Sequence, residues 1–132
     1  MTKLLYQYAV LRVVPRPERA ESLNAGVALF CPERRFLGAR VHLDKGLYLG
    51  LAPEPDFELL LCHLDSVVKV CEGGGAAGAL GGLTQRERFG RVVAPKNTVI
   101  QPSVVHTGFT TAPEKELSLL FGRLVHREKT GL

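Results

Sequence analysis

The apolar positions change their spacing along the chain, and each change predicts a new element. Residues 4–14, LLYQYAVLRVV, are rich in β-branched and aromatic side chains, are apolar on both alternating faces, and stop at Pro15. They predict a strand in the centre of a sheet. The loop PRPERAES, with two prolines and four charges, follows. NAGVALFC, residues 24–31, then reads as a second nearly continuous apolar strand. A turn at Pro32–Arg35 leads into FLGARVHL, where Leu37, Ala39, Val41 and Leu43 alternate with Gly38, Arg40 and His42. Three strands joined this closely predict an antiparallel meander, the third with one core face and one polar face.

From Asp56 the period becomes helical: Phe57, Leu60, Leu61, Leu64, Val67, Val68 and Cys71 recur at intervals of three and four. The opposite flank carries Glu58, Cys62, Asp65, Lys69 and Glu72, so Cys71 is expected inside and Cys62 nearer water. Gly73 ends the helix. The stretch 73–82, GGGAAGALGG, has six glycines and little to pack, which predicts a flexible loop. Thr84 and Glu87 have capping-box spacing and start a short helix carrying Phe89. VIQPSVV, 99–105, reads as a fourth, edge strand. Thr111 and Glu114 repeat the capping-box spacing, with Pro113 in the first turn. Leu117, Leu120, Phe121, Leu124 and Val125 form the buried stripe of a closing helix. The expected fold is α+β: an antiparallel meander packed by two main amphipathic helices.

A length of 132 residues with 45% hydrophobic content fits one domain, 1–132, with a core of its own. The net charge of +4 comes entirely from the second half, where nine Lys or Arg face five Asp or Glu in residues 67–132. This permits contact with nucleic acid or another polyanion, but the densest basic set, Arg86, Arg88, Arg91 and Lys96, is loose. Cys31, Cys62 and Cys71 are odd in number and form no CxxC pair, which argues against a zinc site and a disulfide framework and suits a cytoplasmic location. No apolar run reaches the roughly eighteen residues of a spanning helix, so no membrane role is expected.

Motifs of chemistry are few. Gly73, Gly75 and Gly78 match GxGxxG, but they follow a helix, where a dinucleotide-binding turn must follow a strand; they read as a linker. His42, His63, His106 and His126 lack metal-ligand spacing, and neither metal nor cofactor is expected. Cys31, Cys62 and Ser103 lack the setting of a nucleophile, so no catalytic residue is assigned. Arg40 and His42 project together beside Gly38, and Arg12 shares their side by its spacing from Tyr8. That face reads either as a solvated surface or, where no helix covers it, as a site for an anionic ligand. Glu21, Asn24 and Gly26, at the entry to the second strand, read either as a bulge or loop anchor or as a place where a ligand or chain approaches closely. Lys96, Asn97, Thr98, Gln101, Ser103 and His106 give one loop, set between prolines, a high density of hydrogen-bonding groups.

The segments YQYAVLRVVP, ESLNAGVALFCPERRFLGAR and RFGRVVAPKNTVIQPSVVHTG, followed by a Leu- and Phe-rich helix, resemble the bacterial family known as domain of unknown function 3037. The resemblance runs from about Leu5 to Val125, with Ala25 where the family pattern has Val. It places motif positions on Glu21, Asn24 and Gly26, and on Thr98, Gln101, Ser103, His106 and Gly108. No activity comes with it. Some members are encoded beside HipA-like kinases, which implies a kinase-like protein partner.

These readings favour a small binding or regulatory module that contacts a protein partner through the two motif blocks, with Arg12, Arg40 and His42 contributing. Two alternatives stay open. One is an enzyme on a phosphorylated or nucleic-acid substrate, with His42 or His106 as acid or base and Arg40 as phosphate clamp. The other is a polyanion-binding protein.

Overall fold

A computed structural model describes residues 2–51, 57–96 and 98–126. Strand β1, Leu4–Val13, lies at the centre of a five-stranded antiparallel sheet, as its two apolar faces require. On one flank it pairs with β2, Leu23–Cys31, which in turn pairs with β3, Phe36–Val41. The other flank is shared by two short strands, β4, Ile100–Pro102, and β5, His106–Thr110. The fold is α+β.

The sheet separates two layers of helix. One face carries α4, Pro113–Leu124, whose Leu117, Leu120 and Phe121 pack on Tyr6, Val27, Leu29 and Cys31. The other carries α1, Lys45–Leu51, α2, Phe57–Glu72, and α3, Gln85–Val93. On that side Leu60 and Leu64 close over Val13 and Ala25, and Phe89 and Val92 over Leu11 and Phe30. Cys71 is buried and Cys62 exposed, as the periodicity of α2 predicts. Thr84 and Glu87 form the expected capping box at the start of α3.

Four elements differ from the expectation. The edge strand predicted over 99–105 is shorter: beyond Pro102 the Ser103 side-chain oxygen, in place of a strand carbonyl, takes the Val10 N–H, and the regular ladder stops. Pairing resumes in β5, whose sequence HTGFT holds one large apolar side chain and gives no alternation to read. Helix α1 is a short element with Gly46 and Gly50 inside it, held at its start by Asp44, whose Oδ1 accepts from Leu47 N–H at 2.9 Å. The closing helix is capped by Ala112 and not by the Thr111–Glu114 box; Thr110 Oγ1 accepts from Ala112 N–H at 3.1 Å instead.

The glycine-rich stretch is wound into 3-10 turns over Gly75–Gly82 with a kink at Gly78, φ 64°. A bond from Gly74 N–H to Gly81 O at 3.2 Å draws its two ends together. The tripeptide Pro-Glu-Arg makes the same 3-10 turn twice, at Pro17–Arg19 and Pro32–Arg34. In each, the next residue, Ala20 or Arg35, takes a left-handed conformation.

Candidate functional site

The two motif blocks, far apart in sequence, meet on β1. A bulge between Leu11 and Arg12 sets Arg12 opposite Asn24 on β2 and opposite Gln101 on β4. Side chains aligned across neighbouring strands share a face, so Asn24, Arg12 and Gln101 form one row on the α4 side of the sheet. Two residues earlier along that face comes Val10, and after it Tyr8, opposite His106, whose ring lies 5.1 Å from the tyrosine ring.

Several motif residues hold this arrangement together. Asn24 Nδ2 donates to Leu124 O at 3.0 Å and so ties β2 to the carbonyl end of α4. Ser103 is buried where β1 passes from β4 to β5. Its Oγ accepts from Val10 N–H at 2.9 Å and its own N–H donates to Val10 O at 2.8 Å, filling a gap in the ladder. Gln101 Nε2 donates to Thr98 O at 2.8 Å, and Thr98 Oγ1 to Ile100 O at 2.8 Å, which stiffens the approach to β4.

The motif glycines are spacers. A Cβ on Gly26 would lie 2.9 Å from Val41 Cγ1 and 3.0 Å from Arg40 O, so β3 could not close on β2. A Cβ on Gly108 would lie 2.6 Å from the Tyr6 hydroxyl. Gly26 has no positive φ; it is the close approach that requires glycine there. Glu21 is paired with Arg19 at 2.5 Å, a bond that holds its carboxyl below the usual range, and it lies at the surface of the 17–22 turn.

The profile of the family described as Protein of unknown function (DUF3037) matches residues 8–125. The chain belongs to this family. No curated protein and no solved structure matches it.

Seen as a DUF3037 fold, the motif blocks divide into supports and exposed groups. Arg12 and His106 are exposed. Beside Arg12 is a cleft of about 320 Å³ lined by Val14, Pro17, Ala20, Ser22, Gln101 and Pro102. Among the described residues Arg12 forms no ion pair, so its charge is available there. Arg40 and His42 share the same sheet face, but α4 lies over their end of it. Arg40 Nη1 donates to Ser118 Oγ at 3.1 Å, with its guanidinium 4.5 Å from the Phe121 ring centre, and the His42 ring is 5.3 Å from that of His126. They border α4 and line neither described cleft. Between β3 and the β4–β5 flank are three strand spacings, about 14 Å, so Arg40 and His106 belong to opposite edges of the sheet.

Asn97, one of the loop's expected hydrogen-bonding residues, lies outside the described residues. The basic set of the second half is dispersed. Arg88 is buried, its Nη1 donating to Val70 O at 2.9 Å and Cys71 O at 2.6 Å, where it caps the carbonyl end of α2. Lys96 Nζ donates to Arg91 O, Val92 O and Ala94 O and so caps α3, and burial lowers its pKa. Among the described residues no helix is long and apolar enough to cross a membrane, and no three side chains are grouped as a metal site.

The site residues that sequence reasoning missed are apolar. Val104, Phe109 and Leu5 are 75%, 66% and 46% exposed, and Phe109 is paired with Leu5 across the β5–β1 ladder. The loss of apolar alternation in HTGFT was the available signal: a lone Phe among polar residues has no core face to join.

Proposed function

We propose that this DUF3037 protein is a small binding or regulatory module of the bacterial cytoplasm that docks a protein partner. The docking surface is the flank of the sheet formed by β4, β5 and the adjoining part of β1. The observation that carries the reading is the exposure of Phe109 on β5, a strand with no further partner among the described residues, and of Val104 in the link from β4 to β5. Apolar side chains beside unpaired strand groups are the elements from which strand-edge recognition is built. Arg12, on the α4 side of the sheet beside β4, adds a cation with no ion pair among the described residues, which favours an acidic contact on the partner.

The resemblance to a family with members encoded beside HipA-like kinases makes such a kinase the first partner to test. The experiment is size-exclusion co-elution of the purified protein with the HipA-like kinase of its own source. A complex that forms with the wild type and is lost with Phe109→Asp, while Phe109→Asp keeps its thermal transition, supports the reading. Failure of the wild type to co-elute removes the kinase, and equal binding by Phe109→Asp removes the surface.

A further inference from the structure

The helical layer opposite α4 leaves a second, larger cleft, about 660 Å³ in volume. That volume is within the range of about 300–1,000 Å³ usual for sites that enclose a small ligand. Helix α2 supplies one wall through Leu59, Leu60, His63, Ser66, Val67 and Val70, a stripe one step around from its core-facing side. The floor is sheet, from Leu11 to Ile100. The remaining wall is the end of α3 and the chain after it, with Pro15 and Arg16 beyond β1. Close-packed interiors leave few voids larger than a water molecule, so a cleft this size between helix and sheet has room for something other than side chains.

Charge distinguishes this cleft from a packing defect. Among the described residues that line it, Arg16, Arg91 and Lys96 are cationic and none is Asp or Glu. All three belong to the wall opposite α2. They issue from adjoining chain: Lys96 Nζ is 2.6 Å from Arg91 O, and Val14 N–H donates to Val99 O at 2.6 Å, which brings the segment leading to Arg16 alongside the one following Lys96. Lys96 spends its hydrogens on carbonyls and contributes charge. Arg16 and Arg91 are exposed and in no ion pair among the described residues, so their guanidinium groups are open to an anion. At the mouth, Leu59 and Val99 hold apolar surface in water.

We infer that this cleft binds a single-chain amphipathic anion, a medium-chain carboxylate or its phosphate counterpart, with the chain along α2 and the head at Arg16 and Arg91. Neither part suffices alone. An apolar wall without the cations would take any hydrophobe, and the cations without the wall would take any anion.

The test is isothermal titration of the full chain with octanoate, nonanoate and decanoate below their micellar concentrations, with decyl phosphate, decanol and decyltrimethylammonium as comparators. Burying each added methylene predicts about fourfold tighter binding. Decanoate or decyl phosphate should bind at least tenfold more tightly than decanol, and the cationic amphiphile should not bind. Ser66 and Arg91 are exposed, so variants there keep the fold. Ser66→Trp fills the cleft and should abolish binding. Arg91→Glu should weaken decanoate at least tenfold and leave decanol unchanged. Equal affinity for decanoate and decanol, no dependence on chain length, or no effect of Ser66→Trp would overturn the inference. Sedimentation with anionic phospholipid vesicles, without binding of the free amphiphiles, would overturn it in favour of a membrane surface.

Discussion

Arg12 and Gln101 stand opposite each other across the β1–β4 ladder, with Asn24 on the other flank of Arg12. Two blocks separated by most of the chain are thereby joined through one strand, and their polar residues are of two kinds. Ser103 and Asn24 bond to the backbone and hold the sheet and α4 in place; Arg12 and His106 are left facing water.

Ser103→Ala removes the acceptor for Val10 N–H in the middle of the central strand. An unsatisfied buried amide costs about 1–3 kcal/mol, so the urea midpoint should fall by a corresponding amount. Amide exchange at Val10 should accelerate more than at its neighbours. Unchanged exchange there would show that another group satisfies the amide.

Arg88 ends α2 from within the core. Arg88→Ala leaves Val70 O and Cys71 O without their donor at the negative end of a helix, with an expected loss of about 2–4 kcal/mol in chemical denaturation. Arg88→Lys should recover part of that loss, because an ammonium cannot reproduce the guanidinium's bonds to Val70 O, Cys71 O and Leu83 O together.

Burial pushes the Cys71 thiol from its ordinary 9.0 up to about 12, a rise that the nearby Arg88 only partly offsets. The folded-state value lies above the unfolded one. Stability from the protonated thiol is therefore fully present below about pH 9 and declines as pH rises toward about 12. In that window the slope is about 1.4 kcal/mol per pH unit. Tyr6, also raised by burial and by Glu116, adds to the loss in the same direction. Cys71→Ala should flatten the alkaline limb of a stability profile measured by urea denaturation.

The thiols should also differ in reactivity. Cys62 is exposed, while Cys31 and Cys71 are buried, so mass spectrometry after brief alkylation of the native protein should find Cys62 modified and the other two protected. In denaturant all three should react.

Long runs of consistent spacing were legible in the sequence. β1 to β3, α2 and α4 each carry a core-facing pattern that burial then enforces, and the fate of Cys62 and Cys71 followed from it. What was not legible depends on contacts between distant segments. β5 has no apolar alternation because one of its faces has no covering helix; its strand identity comes from pairing with Leu4–Tyr8. The burial of Arg88 was hidden because its partners are main-chain carbonyls of α2. Arg12, Arg40 and His42 were correctly placed on one face, but only the structure shows α4 standing over the Arg40 and His42 end.

The most direct test of the proposed docking surface is hydrogen exchange of the protein alone and mixed with the HipA-like kinase proposed as its partner. Slower exchange confined to residues 100–110 and Leu4–Tyr8, and absent from α2 and α3, is the predicted result. Protection elsewhere with none along β5, or no change in any segment at saturating kinase, would contradict it.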